Sequence, residues 1–272
     1  MAKKQLPKRA LITGAASGIG RALARECASR GMHIVGVDLN EAGLNQTADE
    51  IRTEFNVEVH TFVIDLSQRD APERCLAFCD ENGLEIDLLI NNAGVFFFAP
   101  LTDADPKRVA IMCDLHVYCV TRMCVLFAER MKQRRFGYIM NQSSMSAWMA
   151  MPGISTYNAT KAYVRSMSRS LHFELKPWNV SVTAVCPGGA NTPLLPISDK
   201  IRKLGCSLGF LSDTSWLAKK AINATLKGKI QTIPGIMNHF YTFIIMTLPN
   251  WLVSFIMNRL PMFKACHPPK DT

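Results

Sequence analysis

Residues 155–163 read STYNATKAY, which sets a tyrosine four residues before a lysine. On a helix, positions i and i+4 share a face, so Tyr157 and Lys161 project into one volume. A free phenol ionises at about pH 10. An ammonium beside it favours the phenolate and brings it toward the range in which tyrosine can give or take a proton. The same spacing also occurs on ordinary solvated helix faces, so the pair takes its meaning from the rest of the chain.

A second stretch with chemical content is LITGAASGIGRALA, residues 11–24. Gly14, Gly18 and Gly20 stand between a short apolar run and a helical pattern. Glycines there permit a tight turn, let a pyrophosphate approach the backbone and allow the helix to pack closely. The free N–H groups and the dipole of the following helix favour phosphate. Glycine-rich turns are also plain loops, and the strand-to-helix position is what makes this one a dinucleotide candidate. Asp38 ends the next apolar run, VGVDLN. A carboxylate there accepts from both ribose hydroxyls and repels a 2′-phosphate, which favours NAD(H), with NADP(H) as the alternative. The other reading of Asp38 is a residue that starts a turn or caps the helix beginning near Glu41.

These groups need a scaffold, and the hydrophobic pattern supplies one. RALIT (9–13), HIVGV (33–37), VEVHTFVI (57–64), IDLLIN (86–91), GYIMN (137–141) and VSVTAV (180–185) each read as a buried strand. Helical patterns such as GRALARECASRG and EAGLNQTADEIRTEF lie between them. This alternation predicts an α/β fold, a Rossmann-type doubly wound parallel sheet with a ligand crevice at the carboxyl ends of its strands. The 272 residues form one domain on this reading, with a core over 1–229 and a C-terminal apolar extension over 230–272.

Composition excludes several classes. With 48% hydrophobic residues the chain is not disordered. Its net charge of +9 is scattered apart from short spots such as MKQRR, and aromatic residues do not interleave with the basic ones, so no nucleic-acid role is expected. The nine cysteines form no CxxC pair and no His/Cys zinc spacing, so no metal site is expected. An odd cysteine count fits a reducing cytosol, and the apolar run after MAKKQLPKR is too short for a secretory signal.

Several separated motifs now resemble the short-chain dehydrogenase/reductase family. They are TGAASGIG at 13–20, NNAG at 91–94, the serine Ser144 in NQSSMSA, Tyr157-x-x-x-Lys161, and Pro187-Gly188 followed by Thr192. The resemblance implies a nicotinamide-dependent oxidoreductase acting on carbonyls or secondary alcohols. It implies that Tyr157 passes the proton, Lys161 binds the nicotinamide ribose and depresses the phenol, and Ser144 hydrogen-bonds the substrate oxygen. Ser143, next to it, faces elsewhere. Cofactor contacts would come from Gly14, Ser17, Gly18, Ile19, Gly20, Asp38 and Leu66, from Asp65 at the adenine edge, from Asn91, Ala93 and Gly94 at the adenosine ribose, from Tyr157 and Lys161, and from Pro187, Gly188 and Thr192 at the carboxamide. The family usually carries an asparagine in its fourth helix that holds a relay water for the lysine. Here the segment reads CDLHVYCV, which puts Asp114 at that position, while His116 reads as a packed or surface residue. The family also implies a homo-oligomer.

The run FYTFIIMTLPNWLVSFIM, residues 240–257, has no charged residue. Pro249-Asn250 interrupts it, which favours two short helices over one crossing. The readings are a peripheral contact with a membrane, a dimer or core surface, and a true span. Arg259 and Lys264 suit anionic headgroups. The expected location is cytoplasmic, with a peripheral position at the inner membrane surface. Together with KGKIQTIPGIMNHF this tail is similar to family members that reduce 3-oxoacyl, 17β-hydroxysteroid or 3-ketosphinganine substrates, so a hydrophobic small-molecule substrate is expected. Met145, Trp148 and Met149, just after Ser144, fit such a pocket or else the core. The rival from another class is a nucleotide-binding scaffold that kept the fold, with the tail as its contact.

Overall fold

The computed structural model describes residues 6–190 and 211–259. Six strands, β1 (Arg9–Thr13), β2 (His33–Asp38), β3 (Val59–Val63), β4 (Leu88–Asn91), β5 (Gly137–Gln142) and β6 (Val180–Val185), coincide with the six apolar runs. They join one parallel sheet in the order β3-β2-β1-β4-β5-β6, extended at its far edge by β9 (Gln231–Thr232). β9 pairs Gln231 with Ala184 and Thr232 with Val185, so the sheet takes in two residues that the sequence pattern assigned to the extension. A further pair, β7 (Gly189–Ala190) and β8 (Leu211–Ser212), forms a small second sheet.

The central strands read as continuous apolar runs because helices cover both their faces. On one face α1 (Gly18–Ala28) and α7 (Thr214–Leu226) bury Leu23, Ala218 and Ile222 against Ile12, Ile90 and Met140. On the other, α3 (Ala71–Glu81), α5 (Val120–Arg134) and α6 (Ser155–Leu175) bury Cys75, Met123, Phe127 and Val164 against Leu11, Leu89 and Ile139. α2 (Glu41–Glu54) packs beside β2 and β3 with Asn40 as its N-cap, its side chain accepting from the N–H of Gly43. The strand order reverses between β1 and β4, which opens a crevice above Thr13 and Asn91.

α4 (Pro106–Cys113) runs into α5 through a π-helical turn, Asp114–Cys119. The whole helix, Pro106–Arg134, is long and apolar enough to cross a membrane. It is nevertheless a core element, with Met112, Met123 and Met131 buried and Arg122 and Arg130 paired outside with Glu73 and Asp80. The uncharged tail forms two helices, α8 (Ile236–Thr247) and α9 (Asn250–Arg259), separated at Leu248–Pro249, as the proline break predicts.

Candidate active site

The glycine turn leaves β1 at Gly14, whose φ of +70° suits a residue without a Cβ. At Gly20 a Cβ would lie 1.8 Å from the Gly14 carbonyl oxygen, so helix α1 can start this close to the turn only with glycine there. Ser17 stands at the N-cap in extended conformation and makes no side-chain capping bond. The first N–H groups of α1 therefore face the crevice uncapped, as an anion cradle requires. Asp38 borders the turn: its Oδ2 accepts from the N–H of Ala16 and its Oδ1 from that of Asn40, each at 2.9 Å. It starts a turn and fixes the glycine loop without capping α2. The nearest cation on α1, Arg21, is engaged by Glu50, with Nε 3.1 Å from Oε2.

Thr13 and Asn92, which lie inside the two motifs but carry no role in the sequence reading, lock the loop after β4 to this turn. The Thr13 hydroxyl accepts from the N–H groups of Asn92 and Ala93 at 2.9 and 3.0 Å, and Asn92 Nδ2 donates to Thr13 O at 2.9 Å. Asn91 behaves differently from the expectation. Its side chain is buried and donates to Asn141 Oδ1 at 2.8 Å, inside the sheet, so only its backbone borders the crevice. Leu66 likewise spends its side chain in the core. Asp65 caps its own turn, accepting from the Ser67 N–H and hydroxyl and from Gln68. Burial pushes its carboxyl up, and these hydrogen bonds outweigh that and leave it below its ordinary value. Ile19 packs against the core beneath the turn.

At the carboxyl end of β5, Ser144 begins a short 3₁₀ turn, Met145–Trp148, its Oγ accepting from the N–H of Ser146 at 3.1 Å. Ser143 faces the other way, donating to Lys161 O at 2.7 Å. α6 brings Tyr157 and Lys161 to the same place one turn apart. The Lys161 ammonium is buried, 5.6 Å from the centre of the Tyr157 ring, and donates to Gln142 O at 3.1 Å. Burial lowers it to about 8, with the Cys186 thiol pulling the other way. Burial raises the Tyr157 phenol above its ordinary value, while a hydrogen bond with Ser144 lowers it. Burial prevails, and the depression expected from Lys161 does not appear.

Phe96 closes one side of the phenol, ring centroids 5.1 Å apart at 89°. Met145, Trp148 and Met149 are partly exposed at the rim, and Trp148 packs against Ala184, Cys186 and Ile233. Pro187 holds the 3₁₀ turn by accepting from the N–H of Met145 at 2.8 Å. Gly188 abuts Asn238 of α8, a residue that no sequence motif marks: a Cβ at 188 would meet Asn238 Oδ1 at 2.5 Å. That oxygen is buried with no hydrogen-bond partner. Thr192 lies outside the described residues.

Asp114 requires a correction. Its carboxylate faces outward to Arg69, Nη2 to Oδ1 at 3.3 Å, and takes no part in the surroundings of Lys161. The side chain that the π turn delivers to the site is His116, which is 1% exposed, its ring 5.8 Å from that of Tyr157. The family motif read onto CDLHVYCV points to Asp114, whereas in the π turn it is His116, two residues on, that is packed inward. Among the described residues no group of His, Cys, Asp and Glu side chains is arranged to hold a metal.

The fold thus sets a glycine turn beside a serine, a tyrosine and a lysine at the strand ends of one parallel α/β sheet. The chain belongs to the short chain dehydrogenase family, whose model matches residues 8–201. It is 34% identical over 198 residues to the very-long-chain 3-oxoacyl-CoA reductase of Mus musculus, a match covering 71% of this chain and 62% of that protein. The chain thus spans somewhat less than two thirds of that relative's length. Among solved structures it is similar to a short-chain dehydrogenase from Sphingobium yanoikuyae in complex with NADPH, with 25% identity, a TM-score of 0.76 and coverage of 97% of this chain and 99% of that one. It also resembles a 3-oxoacyl-[acyl-carrier protein] reductase with bound NAD from Brucella melitensis, with 26% identity, a TM-score of 0.73 and coverage of 83% and 88%.

Proposed function

We propose that the chain is a nicotinamide-dependent oxidoreductase that interconverts a carbonyl and a secondary alcohol on an apolar, 3-oxoacyl-like substrate. The observation that carries this reading is the convergence of Ser144, Tyr157 and Lys161 at the strand ends beside the glycine turn, since a pure nucleotide binder needs no acid–base group there. The cradle fits a dinucleotide: α1 presents uncapped N–H groups, Gly14 and Gly20 leave the backbone bare, and Asn238 offers an unpartnered acceptor beside Gly188. The nicotinamide supplies the hydride when bound. Ser144 orients the substrate oxygen by hydrogen bonding, and Tyr157 gives that oxygen its proton in the reductive direction. Lys161 supplies the positive charge that favours phenolate once the proton has left. Phe96, Trp148 and the two methionines exclude water and accept an acyl chain. Steady-state turnover across 3-oxoacyl, sphingoid and steroid carbonyls, followed by nicotinamide absorbance, tests the proposal.

NAD(H) is the preferred cofactor in this reading, supported by the Asp38 carboxylate beside the glycine turn, which would repel a 2′-phosphate, and by the engagement of Arg21 with Glu50. Asp38→Arg is expected to reverse the preference toward NADP(H); an unchanged NAD/NADP ratio of kcat/KM would contradict the assignment.

We further place the protein at the cytoplasmic surface of a membrane. Ile236, Phe240, Phe243, Met246, Trp251 and Phe255 are exposed on α8 and α9, which argues against the core reading of the tail. No acidic residue occurs between Asp213 and Asp271, while seven lysines and arginines do. An exposed apolar surface in a stretch of chain whose formal charges are all positive fits anionic lipid headgroups. A homo-oligomer would use the outer faces of α5 and α6, where Val125, Tyr163 and Phe173 are exposed.

A further inference from the structure

The long helix passes through a π turn at Asp114–Cys119, where two polar residues two positions apart point opposite ways. Asp114 goes out to Arg69, and His116 goes in. Its imidazole is bonded at both nitrogens. Nε2 accepts from the N–H of Val95 at 3.0 Å, and Nδ1 lies 3.0 Å from Thr160 Oγ1. The Thr160 hydroxyl in turn donates to Tyr157 O at 2.9 Å.

These contacts determine where the protons are. A backbone amide only donates, so Nε2 carries no hydrogen. The Thr160 hydroxyl has spent its hydrogen on Tyr157 O, so toward the ring it accepts, and Nδ1 carries the proton. The ring is thus a single neutral tautomer bridging the loop after β4 to the helical turn that holds Tyr157. It also fills the space next to the lysine: a Cβ at Gly94 would lie 2.9 Å from His116 Nε2 and 3.7 Å from Lys161 Nζ.

We propose that His116 is the positioning residue of this site, a neutral imidazole clamp that fixes the Tyr157 turn against the Gly94–Val95 loop and takes no part in carrying the proton. The proposal rests on the oxidoreductase reading for its effect on rate, and on hydrogen-bond geometry alone for the state of the ring. The groups facing the imidazole are Tyr157, Thr160 and Lys161 from α6 and Gly94 and Val95 from the loop. Lys161 is the one cation among them, and a second positive charge would break the bond from Val95. Burial and the Lys161 charge both hold the imidazole well below its ordinary value.

Two measurements on the full chain decide the matter. In the ¹⁵N spectrum of the wild-type imidazole we expect an Nδ1–H tautomer that does not titrate between about pH 5 and 8. Kinetically, His116→Phe keeps a ring of similar size and removes both bonds. We expect it to leave nucleotide affinity and KM near wild type and to lower kcat on the order of 10²-fold, the scale of an ångström's misplacement of a catalytic group. His116→Gln, which retains an acceptor and a donor, should recover part of that loss. An imidazole that titrates in this range or carries its proton on Nε2, a His116→Phe enzyme with wild-type kcat, or the disappearance in His116→Gln of a limb of the pH–rate profile would each overturn the clamp. Wild-type protein that turns over no carbonyl would refute the oxidoreductase reading instead, and the tautomer would still judge the clamp. Should His116→Phe fail to fold, the spectrum and the Gln variant decide.

Discussion

At the scale of single residues the site is a balance between burial and charge. Tyr157 and Lys161 share one desolvated volume, and burial acts on them in opposite senses, raising the phenol and lowering the ammonium to about 8. The sign for the reductive direction follows. Lys161 is charged below that value and neutral above it, and in the proposed mechanism it is the charged form that supports proton transfer from Tyr157. We therefore expect kcat/KM for carbonyl reduction to fall as pH rises through about 8, because kcat/KM reports the ionisation of the free enzyme. A kcat/KM profile of the wild type flat across pH 7 to 9, or one whose limb persists in a Lys161→Met variant, would count against Lys161 as the titrating group. The pairing of Tyr157 with Lys161 is legible from i,i+4 spacing alone. What spacing does not show is that the ammonium lies over the ring and reaches Gln142 O, because that depends on how closely α6 packs on β5.

At the scale of elements the apolar runs give the strands because five of the six are buried along nearly their whole length, while β3, at the sheet edge, is only partly buried and is marked by its β-branched and aromatic residues. β9 escapes the same reading: two residues at a sheet edge leave too short a pattern. The π turn escapes for a different reason: nothing in the segment CDLHVYCV marks it, and a motif read by spacing points to Asp114 where the inward residue is His116. Thr13 is a third case. It reads as the last residue of a strand, yet its hydroxyl receives two N–H groups from the loop after β4. Thr13→Val keeps the shape and removes that acceptor. Since an unsatisfied buried donor costs about 1–3 kcal/mol, we expect a loss of stability of roughly that size or more in urea unfolding, together with weaker nucleotide binding. Stability equal to wild type would mean that the loop finds other partners.

The molecule as a whole joins a covered sheet to a basic, apolar tail. α8 packs on the 3₁₀ turn after Ser144 and, through Asn238, against Gly188, so the tail begins at the mouth of the site and its exposed aromatic face continues away from it. We expect the protein to sediment with phosphatidylcholine vesicles containing phosphatidylserine, and to be released when salt is raised well above about 0.15 M, where surface charge is screened. Phe240→Asp with Phe243→Asp should abolish this association without lowering turnover of a soluble short-chain substrate. Salt-independent self-association lost in the same variant would assign the face to a second copy of the chain instead. Both outcomes leave the chemistry of the crevice untouched, and on that chemistry the central claim rests. Its most direct test is carbonyl turnover of wild type beside Tyr157→Phe, with nucleotide binding measured on both. We expect nearly unchanged nucleotide affinity and a loss of kcat on the order of 10² to 10⁴, the range of a general acid removed. Turnover that survives in Tyr157→Phe at the wild-type rate would contradict it.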